Sequence, residues 1–298
     1  MTDKFALSRR AVLAAGVGLA TMSLGGAASA AARGGRLIYA RSADSLELDP
    51  VFNDANVDIW VMNSIYETLL SPTADGLGLQ PGLATKWEWS DAGKTLTLTL
   101  REGVKFSNGL AMTAGDVKWS LDRARDPKNG AWNGMIKSID EVVVAGPGSV
   151  VLKLKTPDPT LLAALATFNT GILPGALVDA APGADAKAKA LAFGEKPIGT
   201  GPFVLSDWRR GQRMLLVRNP HYWRQGDDGK TLPYLDEVEF QIIPDDATRI
   251  LKLKAGEIHG AEFIPYARVA ELQADANLRM ELWPSTRVDY FSFNRPVA

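Results

Sequence analysis

The 298-residue chain contains no cysteine and only two histidines, His221 and His259. The first absence excludes disulfides, thiolate-held metals, a cysteine nucleophile and a lipid-modified N-terminal cysteine. The second leaves too few imidazoles for a histidine-rich metal centre, and only two candidate bases for a serine triad. Neither sign of charge dominates: Lys and Arg number 33, Asp and Glu 34, so no basic field points to nucleic acid or an anionic membrane. Catalytic signatures are missing as well, with no G-x-S-x-G elbow and no H-E-x-x-H. Ala92-Gly93-Lys94-Thr95 resembles the end of a P-loop, but Glu88 stands where the first glycine is needed, and a strand pattern follows where a helix is needed. What remains is the composition of a folded protein, 46% apolar and 22% charged, long enough for one large domain or two ordinary ones.

Beyond residue 32 no stretch is long and apolar enough to span a bilayer. The N-terminus itself reads as an export signal. Lys4, Arg9 and Arg10 precede an uncharged Ala/Gly-rich run over residues 11–32, in which Ala28-Ser29-Ala30 fits the small-x-small cleavage pattern. Ser8-Arg9-Arg10-Ala11-Val12-Leu13 resembles a twin-arginine motif, with Val12 where Phe is commoner. The alternatives are an ordinary secretory signal or an uncleaved anchor. Cleavage after Ala30 leaves 30 basic and 33 acidic residues, a net charge of −3.

Residues 36–40 read as a first strand. Residues 57–70 set Ile59, Met62, Ile65, Tyr66 and Leu69 at helical spacing and predict one amphipathic helix. Strict Thr/Leu alternation over 95–100 makes a hairpin with 86–90. Thr113 and Asp116 form a capping box that opens a helix through about Ala124. A second hairpin joins 141–145 to 149–155. Residues 156–167 predict a helix entered through prolines, and 185–197 a solvated helix or loop with little to bury. Strands follow at 203–206, 214–218 and 237–243, with Trp208-Arg209-Arg210-Gly211 as a hairpin connection whose arginines lie in solvent. Asp245 and Asp246 cap a helix closed by Gly256, and strands at 280–284 and 288–294 end the chain. Asp44, Glu47 and Asp49 share a loop that lacks the glycine turn and terminal Glu of a calcium site, so it reads as a solvated acidic loop. The aromatics (8 Trp, 6 Tyr, 10 Phe) supply rigid surface suited to gripping an organic ligand.

A series of short motifs runs in order through the chain. They are Leu48-Asp49-Pro50, Tyr66-Glu67-Thr68-Leu69-Leu70, 81–87 (PGLATKW), 100–109 (LREGVKFSNG), 113–117 (TAGDV), 197–203 (PIGTGPF), 219–223 (NPHYW) and Gly256-Glu257-Ile258. Each is weak alone, but in this order behind an export signal the chain resembles the extracellular solute-binding proteins of ABC importers for peptides, nickel complexes or opines. The resemblance covers residues 36–294. It implies an α/β, two-lobed periplasmic-binding-protein fold with an inserted, mostly β subdomain. The implied organisation is a signal at 1–30, first lobe at 31–78 and 191–284, insert at 79–190, and the start of a second lobe at 285–298, largely missing because the chain stops early.

The function implied is capture, not catalysis: a peptide or peptide-like ligand is held and handed to permease subunits in the inner membrane. The protein is then a periplasmic monomer with no cofactor, no metal and no nucleic-acid partner. Implied ligand contacts are Asp54 and Asn56 after the Leu-Asp-Pro, Trp132 and Asn133, Phe168 and Asn169, Glu262 and Phe263 after Gly-Glu-Ile, and Tyr290. Competing readings are a nickel-chelate or opine binder of the same fold, a secreted hydrolase and a membrane-anchored sensor; the shortage of histidine weakens the nickel reading.

Overall fold

The structure is a computed structural model that describes residues 33–53 and 55–282. The export segment, Asp54, Tyr290 and the strand expected at 288–294 lie outside the described residues.

The chain enters on β1 (Arg36–Arg41) and continues through α1 (Asn56–Ile65) into the short hairpin β2 (Leu70–Pro72) and β3 (Leu79–Pro81). Next come β4 (Ala84–Ser90), β5 (Thr95–Leu100), α2 (Ala114–Arg125), β6 (Ile139–Gly146) and β7 (Ser149–Leu154). Three short helices follow, α3 (Leu161–Ala164), α4 (Gly175–Asp179) and α5 (Ala186–Gly194). The last elements are β8 (Phe203–Arg209), β9 (Arg213–Arg218), β10 (Glu237–Ile242), α6 (Asp246–Lys254), β11 (Gly260–Ala261) and α7 (Tyr266–Gln273).

Among the described residues two larger sheets stand beside the β2–β3 hairpin. The first has the order β11-β1-β10-β9-β8, with β1 parallel to both β10 and β11 and the remaining pairs antiparallel. Its core gathers Leu48, Met62, Ile65, Tyr66, Leu216 and Phe240. The second sheet is antiparallel in the order β4-β5-β7-β6. In β5 the leucines 96, 98 and 100 are buried while the threonines face out, as a period of two requires. Helix α2 covers this sheet with Val117 and Leu121. The α2 capping box is present in both directions: the Asp116 amide donates to Thr113 Oγ1 at 3.2 Å and the Thr113 amide to Asp116 Oδ2 at 2.9 Å.

Three expectations change. The predicted helix over 57–70 stops at Ile65, although its apolar spacing continues. Tyr66 turns to extended backbone, and the Ile65 carbonyl accepts from the Gly201 amide at 2.8 Å. A Cβ on Gly199 would stand 2.1 Å from that same carbonyl oxygen. The Gly-Thr-Gly-Pro turn is therefore a backbone-on-backbone docking site for the end of α1. The helix expected over 156–167 shrinks to α3, because Asp158 accepts from the Thr160 amide at 2.9 Å and the chain turns locally. Helix α5 buries Phe193 and Ala190, so it has more to bury than its composition suggests.

A fourth change concerns the whole chain. The described residues, 33–53 and 55–282, belong to one compact unit. This corrects the expectation of a first lobe followed by a largely missing second.

Candidate ligand-binding site

Strands β11, β1 and β10 run parallel, and the chain crosses from β10 through α6 to β11 on the far side of β1. The carboxyl ends of such strands, where the order changes direction, are where open α/β sheets form a crevice for ligands. The loop from β1 to α1 leaves from that edge.

A loop of irregular backbone needs partners for its amides, and here carboxylates supply them. Asp44 accepts from the Ser45 amide at 2.8 Å, from Trp208 Nε1 at 3.1 Å and from the Gly211 amide at 2.7 Å. Asp58, fully buried on α1, accepts from the Leu46 and Glu47 amides at 2.9 and 3.1 Å and from Asn53 Nδ2 at 2.5 Å. Asp49 is also fully buried; its Oδ1 accepts from the Val51 and Phe52 amides at 3.0 and 3.1 Å. Asp44 and Asp49 are thus internal braces, which corrects the reading of a solvated acidic loop. Arg209 and Arg210 do face solvent as expected, their side chains 60% and 48% exposed, although the Arg210 guanidinium also lies 3.4 Å over the Trp208 ring and donates to Ser45 O at 3.3 Å.

Glu262 closes the first end of the loop. Its Oε1 accepts from the Ser42 amide at 3.2 Å and lies 3.9 Å from Arg41 Nε. Arg41 has no exposed surface; Nη1 donates to Ser45 Oγ at 3.2 Å, while Nε and Nη2 have no hydrogen-bond partner among the described residues. Burial lowers its pKa. Next to Glu262, Phe263 holds a left-handed backbone at φ 53° and leaves its ring 60% exposed. Its carbonyl is gripped by the buried Arg249 at 3.2 Å, which also donates to Ile243 O and Pro244 O. A non-glycine residue held in this region costs energy and persists where the surroundings enforce it.

Trp132 closes the other end. Its indole N–H donates to Asn53 O at 2.6 Å, and its ring meets Phe168 edge to face at 5.4 Å. Asn169 is buried beside them; its Oδ1 accepts from Thr167 Oγ1 at 2.6 Å, and its Nδ2 has no hydrogen-bond partner among the described residues. Asn133 serves its own turn, donating to Gly130 O at 2.9 Å. Asn56 is exposed as the first residue of α1.

Of the candidates named from the sequence, Glu262 meets one end of the β1–α1 loop, Trp132 and Phe168 meet the other, and Asn56 lies just past it. Asp54 and Tyr290 lie outside the described residues. Sequence reasoning missed Arg41, Asn53, Arg123 and Trp60. Trp60 stacks on Tyr39 at 6.2 Å and is 58% exposed, a surface tryptophan beside the same strand. Its signal was an aromatic on a helix outside the apolar stripe. Among the described residues no group of three or more His, Asp or Glu could hold a metal ion, and no helix is long and apolar enough to cross a membrane.

Residues 78–296 match the family model for bacterial extracellular solute-binding proteins, family 5. The chain belongs to that family. It is 32% identical over 260 residues to the glutathione-binding protein GsiB of Salmonella typhi, covering 87% of this chain and 48% of that one. Among solved structures it is similar to the periplasmic binding protein DppA of Helicobacter pylori in complex with the peptide STSA. The TM-score is 0.71 at 29% identity, over 82% of this chain and 50% of that one. It is also similar to AgaA of A. tumefaciens R10 in complex with agropinic acid, with a TM-score of 0.73 at 29% identity, over 81% and 46%. The chain spans about half the length of the curated relatives it matches. The family match extends past residue 285, to residue 296. The α/β periplasmic-binding-protein fold therefore stands, and the description of this chain as a member cut before most of its second lobe is withdrawn.

Proposed function

We propose that the chain is the periplasmic solute-binding component of an ABC importer and that it captures di- or oligopeptides or peptide-like solutes. The observation that carries this reading is the braced β1–α1 loop at the carboxyl edge of the parallel strands, in a chain of the solute-binding family. A peptide offers backbone donors and acceptors along its length, and a rim of loop backbone with nearby aromatic faces suits it. The GsiB relative is named for glutathione and the DppA structure holds a peptide, which favours this class. Closure over the solute excludes water, and the closed form is what permease subunits read. No step asks for catalysis, so the protein is a binder and not a hydrolase. We assign direct ligand contact to Asn56, Phe168, Glu262 and Phe263, with Trp132 bound to the loop backbone behind them, and the inserted subdomain to 79–190.

Export completes the reading: a twin-arginine type signal at 1–30, cleaved near Ala30. Opine capture by the same rim is the second reading, favoured by the likeness to AgaA. Native mass spectrometry of the protein recovered from its own cells reads both claims. The expected species starts near Ala31 and carries a peptide-sized mass. A nickel chelate or an opine in its place, or an uncleaved N-terminus, contradicts the corresponding part.

A further inference from the structure

Arg123 lies on α2, outside every residue proposed to touch ligand. Its Nη2 donates to Asp49 Oδ2 at 2.8 Å, and the pair is almost wholly shielded, with side chains 8% and 0% exposed. The guanidinium sits 5.2 Å from the Phe52 ring and 5.3 Å from the Trp119 ring, between two aromatic faces. The other oxygen of the same carboxylate holds the Val51 and Phe52 amides. One charge-paired carboxylate thus shapes the turn 49–53 from within, and a buried ion of this kind is stable only while its partner stays in place.

The loop that follows α2 presses on the same turn. Asn129 donates to Arg123 O at 3.2 Å, Gly130 lies so close that a Cβ would stand 1.9 Å from Val51 O, and Trp132 donates to Asn53 O. Gly130 needs its left-handed φ of 65° to make that approach. Helix α2 meanwhile packs on the antiparallel sheet through Val117 and Leu121. The turn that leads into α1 is therefore held by an element whose main packing is elsewhere.

We propose that Arg123 and Trp132 are positioning residues that hold the 49–53 turn in its ligand-ready shape before any solute arrives. The peptide-like solute then meets a preformed rim and loses less to loop ordering on binding. This rests on the proposed solute-binding function for its consequence, though not for its geometry.

The test uses Arg123→Lys and Trp132→Phe. Lysine keeps the charge but loses the planar fork and the stacking between Phe52 and Trp119. Phenylalanine keeps an aromatic face against Phe168, and loses the N–H to Asn53 O together with part of the indole's bulk. Three quantities are measured on the mature protein: melting temperature, amide hydrogen exchange without ligand, and affinity for glutathione as the probe. In both variants the amides of Val51, Phe52 and Asn53 are expected to exchange several-fold faster, while those of Leu215 and Leu216 on β9 keep the wild-type rate. Glutathione affinity is expected to fall about tenfold, the scale of one lost hydrogen bond. Unchanged exchange in both variants overturns the proposal even if affinity falls, because Trp132 would then act by touching the solute directly. A wild-type protein that ignores glutathione and other short peptides counts against the proposed function alone, and the exchange rates still decide the positioning role.

Discussion

At the residue scale, Glu67 is where distant segments of the sequence meet. Its carboxylate accepts from Trp223 Nε1 at 2.9 Å and from the Tyr222 hydroxyl at 3.3 Å. The Tyr-Glu-Thr-Leu-Leu and Asn-Pro-His-Tyr-Trp motifs are thereby tied together across 156 positions. Arg101, from the Leu-Arg-Glu-Gly run, places its guanidinium over the Trp223 ring at 3.9 Å. Burial raises the Glu67 pKa above its ordinary 4.5 despite these donors, and burial also raises Tyr222. A carboxyl whose folded pKa lies above its unfolded one adds stability below the unfolded value and loses it as pH climbs through the folded value. Compared with Glu67→Gln, the wild type should therefore lose relative stability as pH rises from 4.5 towards neutrality. Urea unfolding of both proteins across that range reads the difference. A difference that stays flat with pH would remove burial as the governing influence on Glu67. Nothing in the sequence marks Glu67 as this hub: two weak motifs can be recognised, but not that they touch.

At the element scale, the strands and hairpins were legible because their information is local. The Thr/Leu alternation of β5, the capping box of α2 and the Asp245 cap of α6, which accepts from the Thr248 amide at 2.7 Å, all lie within a few residues of the element they define. The end of α1 was not legible, since Tyr66 and Leu69 keep the helical spacing while the backbone bonds elsewhere: Ile172 donates to Glu67 O at 2.9 Å and Leu83 to Thr68 O at 3.1 Å. Helix α7 escaped because only Leu272 of it is buried, too little to print a periodic stripe. The docking of the Gly-Thr-Gly-Pro turn on α1 gives the sharpest element-scale prediction. Gly199→Ala forces a Cβ into the Ile65 carbonyl and should cost about 3 kcal/mol, the upper range for overpacking. Gly134→Ala, with no neighbour within 4 Å of the added Cβ, should stay within about 0.5 kcal/mol of wild type. Chemical denaturation of the two variants reads both. Equal stabilities would mean that the close approach at Gly199 does not constrain the fold.

At the scale of the whole molecule, the sheet order β11-β1-β10-β9-β8 joins residues that no local pattern connects, Arg36 lying opposite Glu237. That order creates the parallel edge on which the candidate site stands, which explains why the site was only half readable. The sequence names the aromatic and carboxylate residues. It cannot show that Trp132 reaches Asn53 across 79 positions or that Glu262 reaches Ser42 across 220. Nor could it tell a solvated acidic loop from one whose carboxylates point inward, because that depends on Arg123 and Trp208 arriving from other elements. The resulting picture is of a rim built before the ligand comes, in a chain of the family 5 solute-binding proteins.

The central claim is that this rim selects short peptides or peptide-like solutes. Isothermal titration of the mature protein with glutathione, a dipeptide series, a nickel–histidine complex and an opine tests it most directly. Saturable binding of at least one short peptide, with the nickel complex inert, is the predicted result. Saturation by the nickel complex alone, or hydrolysis of the peptides during the titration, would contradict it.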